Sequence, residues 1–165
     1  MLKTNNPLLK QTEDQILSRI KPELKEPLNR TVTAGLTLMY APAMQQNLLK
    51  QMGKPGDYAS KVAEGSAKLT GILYLQSKKT MPLSIMIPTA TLLMCEGLDF
   101  LERSGKVKVD GSLLAAAMKE LSAYMLQLLG ITPQQVAQVV NKGKQGAQPG
   151  QPAGAGIVGS QMQGA

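Results

Sequence analysis

The stretch that decides the fold is Met81–Gly105, MPLSIMIPTATLLMCEGLDFLERSG. From Met81 to Cys95 it carries no charged side chain, and then Glu96, Asp99 and Glu102 arrive at helical spacing. Three readings compete: a membrane span, a catalytic helix and a core helix. The uncharged run is shorter than the roughly 20 residues a spanning helix needs, and Pro88 interrupts it by removing a backbone donor. It reads as a buried core helix whose regular part starts near Pro88 or Thr89, with Met81 to Ile87 as an extended, buried approach. Glu96 and Asp99, three apart, are helix neighbours with the spacing of a paired acid and base. No basic or nucleophilic partner accompanies them, so they are expected on the solvent side of a helix that Gly105 ends. Cys95, inside the apolar run, is expected to be a small buried hydrophobe.

Composition narrows what surrounds this helix. The chain has 165 residues, 43% of them hydrophobic, with one Phe, four Tyr and no Trp. A core made of Leu, Met, Ile, Val and Ala favours closely packed helices over a sandwich or barrel. There is no His and one Cys, which removes the commonest general base and metal ligand, an intramolecular disulfide and a thiolate zinc cluster. The acids are dispersed, and no Gly-rich run leads into Lys and Ser or Thr, so neither a divalent-cation loop nor a phosphate loop is expected. No catalytic residue, metal ligand or cofactor site is assigned. Net charge is +7, spread along the chain. With Arg19, Arg30 and Arg103 as its arginines and few aromatic side chains, the chain lacks the means of sequence-specific readout. Its lysines allow a weak, non-specific contact with packaged DNA. The N-terminal run MLKTNNPLLKQTEDQIL has polar and acidic residues where a secretory signal would be apolar, so synthesis in a reducing cytoplasm is expected.

Upstream of the deciding stretch, residues 1–11 read as an arm, and Thr12, followed by Glu13 and Asp14, as a helix start. Pro22 opens a second helix with Leu28, Val32, Leu36 and Met39 as its apolar stripe, ended or kinked by Pro42. AMQQNLLKQM carries a shorter helix to Gly53. Asp57 caps YASKVAEGSAKLTGILYLQSKK, in which Ala59, Ala63, Ala67 and Gly71 recur every four residues. Such a ridge of small residues lets another helix approach closely, within the chain or between copies of it. Gly65 and Gly71 are read as helix packing, and Lys78 and Lys79 as closing that helix.

Downstream, KVKVDG is a connector, and Asp110 or Ser112 caps a helix with Leu113, Leu114, Ala117, Leu121, Tyr124, Met125 and Leu128 on its apolar face, ended by Gly130. Thr132 caps a short last helix with Pro133 at its first position and Val136, Val139 and Val140 on one side. From about Gly143 the chain is almost only Gly, Gln, Ala and Pro, a composition that does not bury enough apolar surface to fold alone. Its tip carries Ile157, Val158 and Met162, which could dock in a partner's groove. The expectation is an all-α, compact helical bundle of about six helices over residues 12–142, with an extended Gly/Gln/Ala/Pro-rich C-terminal tail over 143–165.

GILYLQSKKTMPLSIMIPTATLLMCEGLDFLERSG, joined to SLLAAAMKELSAYMLQLLGITPQQVAQVV and the Gly/Gln/Ala tail, resembles the small α-helical virion proteins of tailed bacteriophages, over roughly residues 25–165. The resemblance carries no catalytic signature. It implies a non-enzymatic structural or assembly protein of the virion, made in the host cytoplasm, with copies of itself and portal, capsid or internal proteins as partners. The alternative is a membrane-active ejection protein that inserts into the host envelope, because small-residue ridges also pack helices in lipid.

Overall fold

A computed structural model of the chain describes residues 4–44, 46, 57–132, 134 and 135. Among these, five helices of more than ten residues form an all-α architecture: α1 Pro7–Arg19, α2 Pro22–Met39, α3 Tyr58–Gln76, α4 Leu83–Arg103 and α5 Gly111–Leu128. The chain divides into two units, 1–130 and 131–165.

Local chemistry explains most of the boundaries. Asp57 Oδ1 accepts from the amides of Ala59 and Ser60 at 2.9 and 3.3 Å, and Asp110 Oδ1 accepts from that of Leu113 at 2.8 Å, each satisfying donors that a helix start leaves free. Gly105 and Gly130 take φ of 69° and 70° just past α4 and α5, the left-handed geometry that glycine adopts without a Cβ penalty. At the end of α4 the amides of Gly105 and Lys106 return to the carbonyls of Glu102 and Leu101, both at 3.0 Å, closing a Schellman motif.

Three expectations are corrected. α1 starts at Pro7, so residues 7–11 are helix and Thr12 is an interior residue whose hydroxyl donates to the Leu8 carbonyl at 2.9 Å. The cap is Asn6, which accepts from Leu8 and Leu9, with Pro7 at the first helical position, where a missing N–H costs nothing. α4 starts at Leu83 and contains Pro88. The carbonyl that Pro88 leaves without its helical partner belongs to exposed Ser84, in the first turn and open to water. Gly65 is exposed, and a Cβ there would meet nothing within 4 Å, so it is not a packing glycine.

α4 is the centre of the first unit: it packs against α1, α2, α3 and α5, and its residues from Thr89 to Asp99 are all buried. Two glycines set the close approaches. A Cβ on Gly35 of α2 would lie 2.7 Å from Leu93, and one on Gly97 of α4 would lie 2.9 Å from Val62 of α3. α3 and α4 form a hairpin through Ser77–Pro82. Tyr124 reaches Ser60 at 3.1 Å and Leu128 lies over Gly71, so α5 runs in the same direction as α3.

Of the second unit, Ile131, Thr132, Gln134 and Gln135 are described. The Thr132 hydroxyl accepts from the Gln135 amide at 3.4 Å while the Gln135 side chain accepts from the Thr132 amide at 2.8 Å, the reciprocal capping box of a helix start. The helix through Val136, Val139 and Val140, the one read over AMQQNLLKQM beyond its first residues, and the tail with Ile157, Val158 and Met162 lie outside the described residues.

Candidate functional site

Glu96 and Asp99 are not on a solvent side: their side chains are 8% and 4% exposed. Helices crowd α4 from several directions, so carboxylates at the spacing of a surface stripe are enclosed and need partners. The partners come from elsewhere in the chain. The Tyr40 hydroxyl, just past α2, donates to Glu96 Oε1 and accepts from Arg103 Nη2 at 3.0 Å. Arg103 Nη2 reaches Glu96 Oε1 at 3.3 Å, and its Nε lies 2.6 Å from Asp99 Oδ2. The Thr4 hydroxyl donates to Asp99 Oδ1 at 2.5 Å. Asn6 caps α1 with its oxygen, while its Nδ2 donates to Glu102 Oε2 at 2.9 Å and to the Val109 carbonyl at 3.1 Å; Glu102 Oε1 in turn accepts from the Val109 amide at 2.8 Å.

The cluster ties four pieces together: the N-terminal residues, the end of α2, the last turns of α4 and the connector before α5. Burial, then the hydrogen bond to Glu96, raise the Tyr40 pKa, which keeps its proton in place as a donor. Arg103, hydrogen-bonded to Tyr40, is likewise held in its charged form. The bonds between these groups run inward and fasten the fold at this end. Among the described residues no group of three or more His, Cys, Asp or Glu is arranged to hold a metal ion.

Cys95 is fully buried beside this cluster, as a structural hydrophobe would be. Burial pushes its thiol up to about 12 from 9.0, and the charges of Glu13 and Glu96 add to the effect. A pKa raised on folding means that the folded chain holds the proton more tightly. The resulting stability is complete below about pH 9 and is lost as pH rises towards about 12, at about 1.4 kcal/mol per pH unit. Denaturant melts of the chain should show this alkaline limb, and Cys95→Ala should flatten it. The native thiol should stay unreactive towards a disulfide reagent at about pH 8 until the chain unfolds.

The ridge of Ala59, Ala63, Ala67 and Gly71 lies buried within the chain, on the side of α3 that meets α5: a Cβ on Gly71 would lie 3.1 Å from Leu128. Between the two helices, a groove of about 270 Å³ is lined by Glu64, Ala67, Lys68, Tyr124, Gln127 and Leu128. Lys68 pairs with Glu64 at 2.6 Å on its rim.

Among the described residues two surfaces carry exposed apolar side chains. Only Ala117, Leu121 and Met125 of α5 are buried. Beside them Ala115, Met118, Ser122, Leu126 and Leu129, spaced by three and four, make a second stripe, of which Ala115, Met118 and Ser122 are exposed and Leu126 and Leu129 half-buried. The other surface is the end of the unit opposite the polar cluster. Leu75 and Leu83 flank the α3–α4 turn with 64% and 62% of their surface exposed, and Ile72, Ile87 and Leu128 are exposed at the same end. α4 has the length and composition of a membrane span, but 72% of the window that qualifies is buried within the chain, which makes it the core helix.

No family model matches the sequence, and no curated protein or solved structure is similar to it.

Proposed function

We propose that this chain is a non-enzymatic structural and assembly component of a tailed-phage virion, packing against copies of itself and neighbouring virion proteins. The observation that carries the assembly reading is the second stripe of α5. Beside its buried face, α5 carries a second row in which, among the described residues, Ala115, Met118 and Ser122 are exposed and Leu126 and Leu129 half-buried, an arrangement that fits a helix completing its packing in an oligomer. The virion context is supported by the resemblance of the helical segments and tail to small phage virion proteins. In the same reading the tail docks on a neighbour through Ile157, Val158 and Met162.

The test is mass spectrometry of particles purified from a host carrying the coding sequence. The chain should be present in many copies. A Met118→Glu/Ser122→Glu variant, altered only at exposed positions, should be made and folded but depleted from the particles. Absence of the wild-type chain, or wild-type occupancy by the variant, would refute the reading.

A further inference from the structure

We propose that the end of the unit formed by the α3–α4 turn binds an anionic lipid surface. The turn protrudes between two helices: Gln76, Lys78, Lys79 and Thr80 are exposed, with Leu75 before them and Leu83 and Ile87 after. These three are among the most exposed large apolar side chains of the described residues, at 64%, 62% and 54%, and they lie at the end of α3 and the start of α4. Exposed aliphatic side chains on either side of a lysine-bearing turn suit insertion into the headgroup and acyl boundary, with the lysines at the headgroups.

The turn itself carries only positive charge. No acidic residue occurs from position 65 to position 95, and Lys78 and Lys79 sit at the apex. Lysines there reach upwards to lipid phosphates while the leucines go deeper. The backbone adds an independent observation. Lys78 and Lys79 have φ of 52° and 63°, a conformation that costs a side-chain-bearing residue free energy and glycine almost none. The turn itself is held by backbone bonds and by Ser77, whose hydroxyl donates to the Tyr74 carbonyl at 2.6 Å and accepts from the Met81 amide at 3.2 Å. The lysine side chains are therefore not needed to make the turn, and strain kept at such a position points to a use for them. Because α4 stays buried, the mode is docking at the interface, not spanning, and it does not depend on the virion reading.

Co-sedimentation of the full-length chain with vesicles tests this. At about 0.1 M salt the chain should bind phosphatidylcholine vesicles containing roughly 30% phosphatidylglycerol and bind phosphatidylcholine alone far more weakly. Leu75→Ser/Leu83→Ser should weaken binding at least about 10-fold. Lys78→Gly/Lys79→Gly should weaken binding to the anionic vesicles about 30-fold, with a Tm that is unchanged or raised. Met118→Glu/Ser122→Glu should keep its membrane binding within a few-fold, which separates this surface from the assembly face. No binding, equal binding to both vesicle types, or wild-type binding by the leucine and lysine variants would overturn the proposal.

Discussion

Arg103→Ala is expected to destabilise the chain by about 2–4 kcal/mol, the largest effect of any single substitution outside the apolar core. Glu96 and Asp99 are enclosed, and Arg103 is the cation that reaches both. Removing one partner of a buried ion pair leaves an uncompensated charge and costs about 3–5 kcal/mol. The lower figure expected here reflects a guanidinium that is itself 54% exposed, so water can enter when it is removed. The diagnostic result is the rescue: Glu96→Gln/Asp99→Asn in the Arg103→Ala background should restore about half or more of the loss, because neutral amides need no cation. Denaturant melts of the three proteins measure both quantities. If Arg103→Ala costs less than about 0.5 kcal/mol, the pair behaves like an ordinary surface salt bridge and the cluster does not fasten the fold.

The second large effect is expected at Gly97. A Cβ there would approach Val62 to 2.9 Å, and Val62 is a β-branched side chain 3% exposed in the α3–α4 contact. Gly97→Leu has to push the two helices apart, costing about 3 kcal/mol through overpacking, a Tm loss of roughly 10 °C for a unit of this size. Gly65 provides the control, since a Cβ there meets nothing within 4 Å. Gly65→Ala should instead stabilise by about 0.5–1 kcal/mol, the helix propensity difference alone. Equal effects at the two positions would show that the close approach at Gly97 is not what holds α3 to α4.

These residues also mark how far the sequence can be read. The starts at Asp57, Asp110 and Thr132 and the stops at Gly105 and Gly130 were legible because the signal and the structure it makes lie within four residues of each other. Asn6–Pro7 carries the same kind of signal, but Glu13 and Asp14 after Thr12 imitate a first turn, and Glu13 is in fact buried. Pro88 reads as a breaker because its cost depends on whether the orphaned carbonyl can reach water, which only the packing decides. The burial of Glu96 and Asp99 was not legible. Spacing along α4 shows which residues share a face, not what stands opposite, and Tyr40 and Thr4 come from 56 and 95 positions away. Gly97 could have been noticed: a glycine within a long apolar helix, far from either end, points to a close neighbour. The second stripe of α5 was hidden because Leu, Met and Ala occur almost all round that helix, and periodicity alone does not separate the face buried in the chain from the one left over.

Sedimentation velocity of the full-length chain over a range of concentrations tests the central claim most directly. The wild-type chain should associate with rising concentration beyond its monomer mass of 17.6 kDa, and Met118→Glu/Ser122→Glu should sediment as a monomer with an unchanged helical circular dichroism spectrum. A wild-type chain that stays monomeric throughout, or a variant that associates as the wild type does, would contradict assembly through α5.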